Sequence, residues 1–153
     1  MEDMNKVEFD TTQYIVVKVG SEQYGIYIKY VDNIVRMQKI TRVPKVQPYF
    51  NGVINLRGEV IPVMSLRVKM DLPKDEFSNS TRIIIIKLEP QASIGIIVDE
   101  VKEVVTLEND EIERPTYDAK DEHAGFINGI GKHADELISL LYLHAVIIEK
   151  EKE

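Results

Sequence analysis

Three histidines, His123, His133 and His144, are the first side chains in this sequence that could do chemistry, and their spacing matches no metal-binding pattern. Surface histidines account for them. Asp99, Glu100 and Glu103 could act as a carboxylate pair in acid–base work or as ligands of a divalent ion, but no loop with calcium-binding spacing surrounds them. Val101, Val104 and Val105 beside them fall at helical spacing, so a solvated helix face is the simpler expectation. Glu108, Asp110, Glu111 and Glu113 read as a solvated acidic loop. Gly125, Gly129 and Gly131 lack the dinucleotide spacing, and no lysine–serine pair follows them. No serine sits in a nucleophile elbow. No cysteine occurs, which excludes disulfides, thiolate metal sites and cysteine nucleophiles. Nothing among these residues argues for an enzyme, and neither a metal nor a cofactor is expected.

A contact surface is the better expectation, and one stretch would build it. NGVINLRGEVIPVMSLR, Asn51 to Arg67, reads as a β-hairpin with arms from Gly52 to Leu56 and from Val60 to Leu66. The break at Gly58-Glu59, with glycine first, predicts a type II′ turn. Gly52 marks a second place where the backbone bends or approaches a neighbour. Pro62 cannot donate to a ladder, so its arm is an edge strand or carries a bulge. Arg57 lies against the turn, either as an ordinary solvated arginine or as a charge held out on a stiff support.

Composition narrows the partners. The chain has 153 residues, 44% hydrophobic and 29% charged, which fits one domain or two very small ones sharing a core. A formal net charge of −7 weighs against nucleic acid and anionic membrane alike. The longest apolar run, Ile83 to Ile86, is far too short to cross a bilayer. The opening MEDMNKVEFD is unlike a signal or transit peptide, so a cytoplasmic location is expected.

Taken in order, residues 1–11 read as a mobile tail. Gln13 to Val19 and Tyr24 to Ile28 follow as paired strands, and Ile28, Val31, Ile34 and Val35 are spaced as one side of a short helix. A connector with a modest strand, Lys39 to Val43, leads to the hairpin. Asp71 to Ser80 is a polar loop, and the four isoleucines of Arg82 to Leu88 predict a strand buried on both faces. Ile94 to Val98 and the helix-spaced Asp99 to Val105 come next, then an acidic excursion from Glu108 to Glu122. Phe126 to Lys132 and Glu136 to Leu141 form a last strand pair, followed by a short helix near Tyr142 to Ile148.

Two stretches echo each other. YGIYIKYVDNIV (Tyr24 to Val35) matches IGIIVDEVKEVV (Ile94 to Val105), with Gly25 on Gly95, Ile26 on Ile96, Val31 on Val101, Ile34 on Val104 and Val35 on Val105. FNGVINLRG has a fainter counterpart in FINGIGKHAD, with Asn51-Gly52 on Asn128-Gly129. The repeat, with short strands and turn signals throughout, predicts two similar small β-barrels that share a core.

The ordered set YGI at Tyr24, TRVP at Thr41, GVINLRG at Gly52, GIIVDEV at Gly95 and FINGIGK with LISLL resembles the CheW family of bacterial chemotaxis coupling proteins, over nearly the whole chain. The resemblance implies an all-β fold with short helices, two intertwined five-stranded SH3-like barrels, forming a single domain over 13–148 between flexible tails at 1–11 and 149–153. It implies a non-enzymatic adaptor that couples the cytoplasmic tips of methyl-accepting chemoreceptors to the histidine kinase CheA, and recruitment from the cytoplasm to receptor arrays. Val31, Asn33, Ile34, Arg57, Val98 and Val101 are then expected at the receptor, lining a groove between the barrels. Ile40, Thr41, Arg42, Val43, Phe50 and Gly52 are expected at the CheW-like regulatory domain of the kinase. Asn33 and Ser65 stand where the family often has acidic residues, as do Tyr142 and His144 near the end. The alternative is a small-molecule-binding or enzymatic barrel, which needs convergent polar groups that the sequence does not offer.

Overall fold

Among the described residues, runs of β-branched residues cut by turn signals fold into ten strands. The computed structural model describes residues 10–90, 92–114 and 124–147. The first half runs through β1 (Thr11–Val19), β2 (Glu22–Tyr27), β3 (Val31–Arg36), β4 (Phe50–Leu56), β5 (Glu59–Ser65) and the short helix α1 (Leu66–Lys69). The second runs through β6 (Arg82–Glu89), β7 (Ala92–Val98), β8 (Glu100–Glu108), β9 (Ile127–His133), β10 (Glu136–Leu141) and α2 (Leu143–Ile147). The expected C-terminal tail, His123 and the later part of the acidic excursion lie outside the described residues. So does the expected N-terminal tail up to residue 9, and Thr11 already opens β1.

One sheet has the order β8-β1-β2-β10-β9 and the other β3-β6-β7-β5-β4. The two orders correspond place by place, β8 with β3, β1 with β6, β2 with β7, β10 with β5 and β9 with β4. The sequence echo is therefore a structural repeat, β1–β5 against β6–β10. Each sheet takes two strands from one copy and three from the other, which makes the fold two intertwined five-stranded SH3-like barrels.

The matched glycines sit at matched crossings. Gly25 pairs in parallel with Leu140, and Gly95 with Val63. A Cβ on Gly25 would lie 2.7 Å from Leu140 Cδ2, and one on Gly95 would lie 2.7 Å from Ile83 Cγ2. The strand backbone passes so close to packed side chains that only glycine fits without displacing them. One cluster of the core gathers Ile54, Ile61, Val63, Ile83, Ile85 and Ile97, and another gathers Val16, Val105, Leu107, Ile138 and Leu140. All four isoleucines of β6 are buried, as the unbroken apolar run requires.

Two expected helices are strands. Ile28–Tyr30 is one 3-10 turn, and Val31 onward is β3; the stretch after Asp99 is β8. The i, i+3 spacing in β3 comes from a β-bulge. Val31 pairs with Ile86 and Asn33 with Ile85, so Asp32 is the extra residue. The bulge brings Val31 and Ile34 to one sheet face, a pattern that in sequence mimics a helix stripe. In β8 plain alternation holds, with Val105 and Leu107 buried and Val104 half exposed. Lys39 to Val43 forms no strand, only a single bridge from Thr41 to Val53.

The central hairpin turns one residue earlier than expected. Leu56 pairs with Glu59, and Arg57 and Gly58 have φ of 54° and 84°. Positive φ at both positions makes a type I′ loop rather than II′. β5 is an inner strand, but its pairing with β7 starts only at Val63. Pro62 precedes that pairing, and its partner Val53 spends its own backbone groups on Thr41, so no ladder bond is lost.

Because β1–β5 and β6–β10 supply strands to both sheets, one cut between Glu76 and Phe77 should leave the fragments associated. They are expected to co-elute on native size exclusion and to separate only in denaturant. Separation under native conditions would contradict the strand exchange.

Candidate functional site

The candidate contact residues lie in one of the two compact units into which the chain divides, the unit containing residues 17–21 and 29–101. Its sheet has a core face, carrying Ile83, Ile85 and Ile97, and an opposite face. Register places Val31 beside Ile86, Ile34 beside Ile84, and Ile84 beside Ile96, so Val31, Ile34 and Val98 share the face opposite that core. Ile34 is 37% exposed on edge strand β3, Val31 is half-buried, and Val98 has no exposed area. Val98 therefore backs a surface rather than forming it. Asn33 falls on the core side with Val35, and its Oδ1 accepts from the Ile34 N–H at 2.8 Å. Val101 is half-buried just past the corner between β7 and β8.

Arg57 is exposed at the first turn position of the hairpin, where Asn55 Oδ1 accepts from the Gly58 N–H at 3.1 Å and stiffens the loop. Val60, beside the turn, is 63% exposed, a contact candidate that alternation alone hid because the neighbouring arm reads as uniformly apolar.

The second set of candidates surrounds edge strand β4. Thr41 and Val53 exchange two backbone hydrogen bonds of 2.8 Å, which lays the connector along that edge. Phe50 and Val63's partner Gly52 flank Asn51, a bulged residue, and Gly52 has φ of 140°. A Cβ on Gly52 would lie 2.1 Å from the Thr41 carbonyl oxygen, so this glycine is required by the crossing itself. Ile40 packs against the core, whereas Arg42 and Val43 are exposed beyond the bridge. Phe50 stacks near Tyr49, ring centres 5.0 Å apart. The other copy repeats the arrangement, with Asn128 bulged and Glu113 bridged to Ile130.

Asp99, expected on a solvated helix face, is instead held by an ion pair. Arg67 Nε donates to Oδ1 at 2.9 Å and Nη2 to Oδ2 at 2.6 Å, while Nη1 reaches the Pro73 carbonyl at 3.1 Å. The Gly20 N–H donates to Oδ2 at 2.9 Å, and the Asp99 N–H donates to the Lys18 carbonyl at 3.0 Å. The Arg67 hydrogen bonds, and then that of Gly20, hold the Asp99 carboxyl below its ordinary range against a cost of burial. Nearby, Ser65 caps α1 by accepting from the Val68 N–H at 3.2 Å, and its hydroxyl donates to Asp75. Burial pushes the Asp75 carboxyl up, and that hydrogen bond offsets it only in part. The sequence held no sign of the Arg67–Asp99 contact, because its partners are far apart in the chain.

Among the described residues, no group of three or more histidines and carboxylates could hold a metal ion, and no helix is long and apolar enough to cross a membrane. A pocket of ≈ 300 Å³ lies in the other unit, and its lining mixes apolar residues such as Leu107, Ile112 and Ile130 with the charged Glu108, Glu111 and Lys132.

Residues 13–151 match the family model of the CheW-like domain. The chain is 38% identical to the chemotaxis protein CheW of Bacillus subtilis, over 91% of this chain and 88% of that protein. It is 30% identical to the chemotaxis protein CheW of Helicobacter pylori, over 90% of this chain and 82% of that one. Among solved structures, the scaffolding protein TtCheW from Thermoanaerobacter tengcongensis superposes with a TM-score of 0.82 at 32% identity, covering 93% of this chain and 91% of that one.

Gly52→Ala is expected to break the Thr41–Val53 bridge and cost about 2 kcal/mol or more, read from urea unfolding. An unchanged midpoint would mean that the crossing tolerates a side chain. Asp99 gives a pH signature. Its folded pKa is below the unfolded value, so its contribution is present at neutral pH and fades as pH falls through the folded pKa. Asp75 is shifted the other way, so the native state gains relative stability as this group protonates. Asp99→Asn should cost about 1–3 kcal/mol at neutral pH, with the difference from wild type shrinking in acid. A difference independent of pH would show that the carboxylate charge is not what matters.

Proposed function

The chain belongs to the CheW-like domain family, and from that premise we propose that it is a scaffold of bacterial chemotaxis that couples chemoreceptor signalling tips to the histidine kinase CheA. It catalyses nothing itself in this reading. The observation that carries it is the match of residues 13–151 to the CheW-like model, sustained by relatives over about nine-tenths of the chain.

The geometry supports a division of labour. An adaptor works by burying apolar area inside a polar rim. Ile34 and Val31 on edge strand β3, backed by Val98 and continued by Val101, offer an apolar face to a helical receptor tip. Arg57, on the stiff hairpin end, sets the register by donating to a carboxylate or carbonyl oxygen of the partner. Arg42, Val43 and Phe50, along edge strand β4 and held in place by Thr41, Ile40 and Gly52, offer a separate surface to the CheW-like regulatory domain of the kinase. Asn33 faces the core side and acts through its own strand's backbone rather than as a charged contact. The protein works in the cytoplasm, recruited by the receptors to their arrays.

Co-sedimentation with purified CheA and a receptor cytoplasmic fragment tests both surfaces. Ile34→Arg puts a charge on an exposed apolar position and should weaken receptor binding by about tenfold or more, leaving kinase binding in place. Arg57→Ala should reduce receptor control of the kinase while moving stability by less than about 0.5 kcal/mol. Equal loss of both partners with Ile34→Arg would defeat the assignment of separate surfaces. Loss of the thermal transition with Arg57→Ala would make that residue structural.

A further inference from the structure

The internal repeat supplies a control for the Arg67–Asp99 pair. Gly25 and Gly95 occupy equivalent places, as do Leu140 and Val63, since each glycine pairs with the corresponding residue in parallel register. Counting along the chain from those anchors, Lys29 stands where Asp99 stands, and His144 where Arg67 stands. A lysine and a histidine cannot repeat a carboxylate–guanidinium pair. Yet the sheet that contains β2 and β10 has the same strand order and the same parallel pairing. The topology therefore does not demand an ion pair at this corner.

The pair is well built for something the topology does not need. Asp99 accepts three hydrogen bonds from two chain segments, and its own N–H is tied at Lys18 to the segment that also supplies the Gly20 N–H. The Arg67 and Asp99 side chains keep only 19% and 28% of their surface, so water screens the contact less than it would a fully exposed pair. A bidentate fork also fixes orientation, which a lysine at the same place could not do. The fixed residue lies between Val98 and Val101, at the corner where the chain leaves β7 and enters β8. Arg67, Asp99, Val98, Val101, Lys18 and Gly20 all belong to the same compact unit.

We propose that the Arg67–Asp99 pair is a positioning device for the receptor-binding face, fixing the corner that sets where Val101 stands, so that receptor affinity depends on it while kinase binding does not. The inference rests on the receptor reading given above for Val31, Ile34 and Val101. Arg67 and Asp99 are positioning residues, acting through Val98 and Val101 rather than touching the partner.

The full chain, with valine methyl groups labelled for NMR, tests it in the variants Arg67→Ala and Arg67→Lys. The methyl resonances of Val98 and Val101 should move in both variants, while those of Val60, on the hairpin, stay in place. Affinity for a receptor cytoplasmic fragment should fall by about three- to tenfold, less for Lys than for Ala, with affinity for the kinase regulatory domain held within about twofold. Unmoved Val98 and Val101 resonances overturn the proposal, as does an equal loss for both partners, which would mark the pair as merely structural. If Arg67→Ala does not fold, Arg67→Lys carries the same two readouts. A wild-type chain that fails to bind the receptor fragment overturns the binding claim together with the receptor reading; the methyl resonances then still decide whether the pair fixes the corner.

Discussion

Two parallel strand pairings hold this fold together, β2 with β10 and β5 with β7, and each joins a strand of the first copy to one of the second. A parallel pair cannot be closed by a tight turn, so the chain must travel before it returns. Here it travels by lending strands: β3 leaves its own copy's β1 and β2 to join β6, and β8 leaves β6 and β7 to join β1. Neither copy can complete a sheet from its own strands. The glycines at the two pairings follow from the same constraint, because a side chain on Gly25 or Gly95 would collide with Leu140 or Ile83. Each copy alone would also be too small to bury a sufficient core.

The repeat separates what the fold requires from what has been added to it. The bulged asparagine, the bridged connector and the hairpin with positive φ at both turn positions occur in both copies, with Ala134 and Asp135 at 51° and 64° matching Arg57 and Gly58. These belong to the architecture. The Arg67–Asp99 pair, the Ser65 cap of α1 and the turn arginine occur in one copy only. All three lie in the unit that carries the proposed contact residues.

Much of this was legible in the residues. The isoleucine run gave a doubly buried strand, the paired glycines gave the repeat, and the family motifs gave the barrels. What was hidden has physical causes. The bulge at Asp32 puts Val31 and Ile34 on one face of a strand, a spacing that belongs to helices when pleating is assumed regular. The hairpin turn slid by one residue because an arginine took a left-handed conformation that sequence rules reserve for glycine and asparagine. The Arg67–Asp99 contact joins residues that only tertiary folding brings together, and no local pattern encodes it.

The turn position of Arg57 bears on its role. A non-glycine residue at φ of 54° costs the fold about 1 kcal/mol relative to glycine, so folding alone gives no reason for arginine there. The side chain is exposed at the loop end, beside the exposed Val60. A charge next to an apolar group, on a loop stiffened by Asn55, combines a directional donor with burial area at little entropic cost on binding. Val60 has an exposed counterpart in Leu137, while the arginine has only an alanine opposite it. The two hairpin ends therefore share an exposed apolar residue but differ in the sign of the charge at the turn, a guanidinium on Arg57 in one and a carboxylate on Asp135 in the other.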